Sequence, residues 1–215
     1  MEDIIKKFTT IDCLGNNLMT PLVVSRQHKV LYLHIAKTGG SSIVQLLKNN
    51  GMDDIVLSNK RGIYEEKVDY FKDVVAHWDE YYKFTFVRNK FDLLISLYNY
   101  DRQLNGKYSL PNDITFEQFL KEQVGVREGL YTELIDQYYL THTNDKCMFN
   151  FIGQFDTYSD DLNKVCSQLG IVNTQERTNV GNYDRSKKRE YYTEELKQLV
   201  KEKFPKEIEK FDWWY

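Results

Sequence analysis

Apolar positions in Val30–Ile35 alternate and include β-branched and aromatic residues, which predicts a strand. The chain then turns polar and small through Lys37-Thr38-Gly39-Gly40-Ser41-Ser42, after which Ile43, Val44, Leu46 and Leu47 recur at helical spacing. The same plan returns at 83–100. Phe84–Val87 predicts a strand, Arg88-Asn89 a polar turn, and an amphipathic helix follows from about Phe91. Thr115–Val124 predicts a capped helix with Phe116, Phe119, Leu120 and Val124 on one face, a stripe better suited to a core than to a ligand. Tyr192–Phe204 predicts another, with Thr193 as cap, Glu194 and Glu195 in the first turn, and Leu196, Leu199, Val200 and Phe204 as the buried stripe. In an open α/β sheet a ligand crevice lies outside the carboxyl ends of the strands, so two strand-turn-helix units place Lys37 and Arg88 at one crevice.

Composition adds that 215 residues, 41% of them hydrophobic and 14% aromatic, suffice for one core; a single α/β domain over 1–215 is the expectation. A net charge of -3 gives no general attraction to nucleic acid or membrane, so an anionic ligand must be met by local patches. No apolar run approaches the roughly 20 residues of a membrane span, and Met1–Thr20 lacks the pattern of a signal peptide. A cytoplasmic location is expected. Cys13, Cys147 and Cys166 are odd in number and lack metal-ligand spacing, which predicts free thiols.

The chemistry concentrates in the first turn. Gly39 and Gly40 let the backbone bend and approach an anion, while Ser41 and Ser42 can cap the following helix. That helix start offers N–H groups and a partial positive charge to a phosphate or sulfate. Lys37 adds a full charge and Thr38 a hydroxyl donor. Arg88, at the end of its strand, and Ser96, in the next helix, could hold a second anionic group. A plain connection with a solvated lysine is the alternative reading of the glycines alone. The polar loop 101–113, after the Arg88 helix, is a candidate lid over whatever ligand occupies the crevice. Arg185, Ser186, Lys187, Lys188 and Arg189 form a mostly basic stretch that reads either as solvated surface or as part of a ligand site.

His34-Ile35-Ala36-Lys37-Thr38-Gly39-Gly40-Ser41-Ser42 resembles the 5′-phosphosulfate loop of sulfotransferases, and Phe86-Val87-Arg88-Asn89 through Ser96 and Tyr98 resembles their 3′-phosphate segment. Phe151–Asp156 with Asp161-Leu162 and Leu169-Gly170 resembles the late strand and helix of the carbohydrate-type, family 2-like branch. Asp184–Lys188 with Tyr191, Tyr192, Glu195, Leu196 and Phe211 resembles its closing loop and helix, so the likeness spans about Lys29 to Phe211. The resemblance implies a P-loop-like, three-layer α/β fold with a central mainly parallel sheet flanked by helices. It also implies sulfuryl transfer from 3′-phosphoadenosine 5′-phosphosulfate (PAPS) to an acceptor hydroxyl, of a carbohydrate, leaving 3′-phosphoadenosine 5′-phosphate (PAP), with no metal required.

Under that resemblance Lys37 serves catalysis, Thr38, Gly39, Gly40, Ser41 and Ser42 hold the 5′-phosphosulfate, and Arg88 and Ser96 hold the 3′-phosphate. Arg185 and Ser186 belong to the closing loop. His77 is the candidate base for the acceptor, since a neutral imidazole can take a proton near neutral pH, with Glu65 and Glu66 as rivals. Three positions depart from the family pattern: Lys90 stands where Pro is usual, Leu93 where a second Arg is frequent, and Gln154 where Arg is common. Lys90 could add charge to the 3′-phosphate site. A P-loop nucleotide kinase is the first competing reading, but its Lys-Ser/Thr pair follows the glycines, whereas Lys37-Thr38 precede them. The second is a non-catalytic nucleotide- or glycan-binding module of the same fold.

Overall fold

The computed structural model describes residues 9–10, 22–58, 72, 75–103, 110–111, 113–124, 136–174, 187–213 and 215. Six strands form one mixed sheet: β1 (Thr9–Thr10), β2 (Leu22–Ser25), β3 (Val30–Leu33), β4 (Ile55–Ser58), β5 (Tyr82–Val87) and, after a small hairpin of β6 (His142–Thr143) and β7 (Lys146–Cys147), β8 (Phe151–Gln154). Their order is β1-β4-β2-β3-β5-β8. β3, β5 and β8 run parallel, with Leu33 opposite Thr85 and Val87 opposite Gln154. The β2-β4-β1 side is antiparallel. The expected parallel sheet is thus the core that carries the crevice, and the antiparallel strands extend it away from that crevice.

The two-residue period sorts side chains between two layers. Val30, Tyr32, Phe84 and Phe86 face one way, where they pack with Ile43, Leu46 and Leu47 of α1 (Gly40–Asn49) and with Leu162 and Val165 of α4 (Tyr158–Leu169). Leu31, Leu33 and Val87 face the other way, against Trp78, Leu140, Phe149 and Trp213. A third cluster joins α2 (Lys90–Gln103) to α3 (Phe116–Gln118), its π-helical continuation Phe119–Gln123, and α6 (Glu194–Lys203). The short α5 (Lys188–Tyr191) precedes α6, and α7 (Pro205–Phe211) follows it with Pro205 in its first turn. Phe116, Phe119, Leu120 and Val124 are buried in that third cluster, as their spacing predicts.

Side-chain caps explain some of the helix starts. Thr115 and Gln118 form a reciprocal capping box, and the Thr193 hydroxyl accepts from Leu196 N–H at 3.2 Å. The expected capping of α1 by Ser41 or Ser42 does not occur. Gly39 is the residue before the helix, in the left-handed region at φ 84, and both serines lie inside the first turn. Among the described residues, no helix is long and apolar enough to cross a membrane.

Candidate active site

The crevice is assembled from the carboxyl ends of the three parallel strands. β3 delivers the loop from His34 to Gly39, β5 delivers Arg88, and β8 delivers Phe155 and, at the start of α4, Tyr158. Cross-links hold these pieces in register. Arg88 Nη1 donates to the Lys37 carbonyl at 3.1 Å, and its guanidinium lies 4.3 Å from the Phe155 ring centroid. The Tyr158 hydroxyl donates to the Gly39 carbonyl at 3.1 Å, its phenol pushed upward by burial and therefore protonated. The loop turns through two left-handed residues, Gly39 and Lys37, the latter at φ 64.

Gly40 accounts for the tightness of the cradle. A Cβ there would lie 1.9 Å from His34 Cδ2 and 2.5 Å from Tyr32 Oη, and both of those rings are buried. His34, stacked on Tyr32, is thereby a packing residue beneath the helix start. Replacing Gly40 by Ala is expected to destabilise the fold by about 1–3 kcal/mol through overpacking. Thermal unfolding would measure it, and an unchanged melting temperature would contradict the packing.

Lys37 and Arg88 meet, as predicted. The Lys37 ammonium sits 3.8 Å from the centroid of Tyr100, and burial first, then the neighbouring Arg88 cation, lowers its pKa to about 8. Two cations held together in a part-buried crevice, over a helix start whose backbone admits no Cβ, suit a ligand with more than one anionic group. Ser96 is buried on α2 one turn before Tyr100, on the face that meets Lys37. Asn89 caps that helix, its Oδ1 accepting Phe91 N–H at 3.0 Å.

Other expectations are corrected. The Thr38 hydroxyl donates to the Ile35 carbonyl at 2.7 Å and is fully buried, so it fastens the loop internally and only its backbone remains for an anion. Lys90 adds no charge to the crevice; it is fully buried and paired with Glu207 at 2.8 Å. Leu93 is a core residue. His77 is not brought to the site. It precedes the 3₁₀ turn Trp78–Glu80 at the amino end of β5, with a side chain 71% exposed and Nδ1 3.3 Å from Glu80. Glu80 in turn pairs with Lys29, beside the start of β3, so His77 occupies the end of the sheet opposite Lys37 and Arg88. Glu65, Glu66, Arg185 and Ser186 lie outside the described residues, as do 104–109 and 112 of the suggested lid.

Tyr100, Phe155, Tyr158 and Gln137 escaped the sequence reading as site residues. Tyr100 could have been found from its i, i+4 relation to Ser96 on a helix entering the crevice. Phe155 and Tyr158 follow directly on the late strand, where any parallel neighbour of β5 must open onto the same crevice. Asp161 fixes that connection. Burial opposes its ionisation, yet hydrogen bonds from Gln154 N–H, Lys164 and Thr157 hold it below the ordinary carboxylate range.

A parallel strand-loop-helix cradle with glycines at its bend and cations at its mouth defines a P-loop-like α/β protein. The chain belongs to the sulfotransferase family, in its family 2 branch, whose model matches residues 20–213. Comparison with curated proteins and with solved structures finds no match. Family membership makes sulfuryl transfer the activity associated with this fold.

Proposed function

We propose that this chain transfers a sulfuryl group from PAPS to an acceptor hydroxyl of a carbohydrate, through a single sulfotransferase domain spanning 1–215. The observation that carries this reading is the contact between Lys37 and Arg88, which brings cations from two strand ends over one glycine cradle. When bound, PAPS supplies an activated sulfuryl group on a phosphosulfate anhydride. The backbone of Thr38–Ser42 and the start of α1 would hold the 5′-phosphosulfate, Ser41 and Ser42 adding hydroxyls within the first turn. Arg88 and Ser96 would hold the 3′-phosphate, the group that separates PAPS from ordinary adenine nucleotides. Arg185 and Ser186 would close over the nucleotide.

Lys37 offsets the charge left on the phosphate side as the sulfuryl group departs, so its contribution belongs to the transition state. With His77 at the far end of β5, the proton of the acceptor hydroxyl falls to Glu65 or Glu66. The order Lys-Thr-Gly-Gly and the burial of the Thr38 hydroxyl both weigh against a kinase, which needs that hydroxyl for its magnesium ion.

Calorimetric titration with PAP, beside ADP and ATP with magnesium, tests the reading. Selective binding of PAP is expected. Preference for ATP, or no binding of any of the three, would overturn it. PAP binding without turnover on a panel of sugar acceptors would instead favour the non-catalytic module.

A further inference from the structure

The last strand-like bond of β5 on the β8 side runs from Phe155 N–H to the Val87 carbonyl, at 2.8 Å. One residue on, the backbone of Arg88 is gripped by a side chain. Gln137 Oε1 accepts Arg88 N–H at 2.7 Å, and Gln137 Nε2 donates to the Arg88 carbonyl at 2.9 Å. The Gln137 amide therefore reproduces, at the end of the sheet, the two bonds that a paired strand would make.

Gln137 is itself held. Its backbone N–H donates to Glu207 Oε2 at 2.7 Å and its Nε2 to Glu207 Oε1 at 2.8 Å. Glu207 Oε2 also accepts from Lys90 Nζ at 2.8 Å, and the side chains of Gln137, Glu207 and Lys90 are all at 0% exposure. Both protons on the Gln137 amide nitrogen have acceptors, and both Glu207 oxygens have donors. Lys90 lies two residues from Arg88, so the circuit closes on itself through the chain. Stability alone does not call for such an arrangement, because well-packed apolar residues commonly replace a buried ion pair without loss. What a saturated polar network adds is a single orientation for its members.

We propose that Gln137 is a positioning residue for Arg88, held by Glu207 and Lys90, and that through it the C-terminal helix α7 sets the aim of the guanidinium at the 3′-phosphate. This rests on the reading of Arg88 as the 3′-phosphate ligand. The direction of the Arg88 side chain follows from its backbone, and a small rotation there is magnified at the end of a long side chain. The substitution of Lys90 for the family's usual proline gains a role: the lysine side chain serves the network from the first residue of α2.

The test uses the full chain and measures dissociation constants for PAP and for ADP, which lacks the 3′-phosphate. In Gln137→Met the affinity for PAP is expected to fall roughly tenfold, with ADP unchanged. The double variant Lys90→Met/Glu207→Gln, which removes the buried charges together, should show a smaller loss of the same selective kind. Melting curves establish that each variant folds. A folded Gln137→Met that keeps the wild-type ratio of the two constants, or loses both ligands in parallel, overturns the proposal. If Gln137→Met does not fold, the double variant is scored by the same ratio. A wild-type chain that does not prefer PAP to ADP overturns the nucleotide reading, and the inference with it, before any variant is compared.

Discussion

Lys37→Ala is expected to lower kcat by roughly 10²–10³-fold, the loss typical of removing one preorganised group that stabilises transition-state charge. Binding of PAP should weaken by less, because the sulfuryl transfer that calls on Lys37 is absent from the desulfated product. Steady-state kinetics beside calorimetry separate the two quantities, and equal losses in both would assign Lys37 to ordinary binding. The same residue sets a pH signature. A lysine is cationic below its pKa, and Lys37, lowered to about 8 by burial and by Arg88, gives up its proton as pH rises through that value in the free enzyme. The kcat/KM for the donor is therefore expected to fall above about pH 8, since that ratio reports the free enzyme. In Arg88→Ala the limb should move upward but not to the value of an exposed lysine, because burial is the larger cause and remains. A limb that stays in place in that variant would contradict the coupling.

Arg88→Ala should weaken PAP by on the order of tenfold to a hundredfold, corresponding to about 1.5–3 kcal/mol for a hydrogen bond to a charged group. ADP binding should change little. Thermal stability should change little as well. The variant loses the bond to the Lys37 carbonyl and the contact with Phe155, but it also removes a buried cation and its repulsion of Lys37. Arg88→Lys is not expected to restore affinity, since an ammonium offers neither a bidentate fork nor a planar face for Phe155. Parallel loss of PAP and ADP in either variant would remove Arg88 from the 3′-phosphate role.

The parts of this site that were legible in the sequence are those made by local chemistry. A strand, a pair of glycines and an apolar helical stripe are each written within about ten residues, so the cradle and the β5–α2 unit could be read directly. Thr115 and Thr193 were legible for the same reason, because a cap is satisfied by a neighbour three residues away. Thr38 was misread because whether its hydroxyl faces a ligand or the Ile35 carbonyl depends on the path of the loop, which its composition does not specify. His77 looked apt because it is the only histidine between the two anion segments, but a sheet has two ends, and a residue preceding a strand lies at the end away from the crevice. Gln137 and Glu207 stand 49 and 119 positions from Arg88 along the chain, and no local pattern announces such partners. The antiparallel side of the sheet was likewise unread, being a matter of which strands pair and not of how each is patterned.

The left-handed backbone at Lys37 has a consequence for stability. A side-chain-bearing residue at φ 64 costs on the order of 1–2 kcal/mol, and the same residue also carries an ammonium buried beside another cation. Glycine at this position would relieve both burdens and leave the turn intact. Under the role proposed for Lys37, the loop is thus a place where backbone strain and a buried charge are retained for the sake of the ligand, and a substitution chosen for thermal robustness alone would remove the proposed catalytic group.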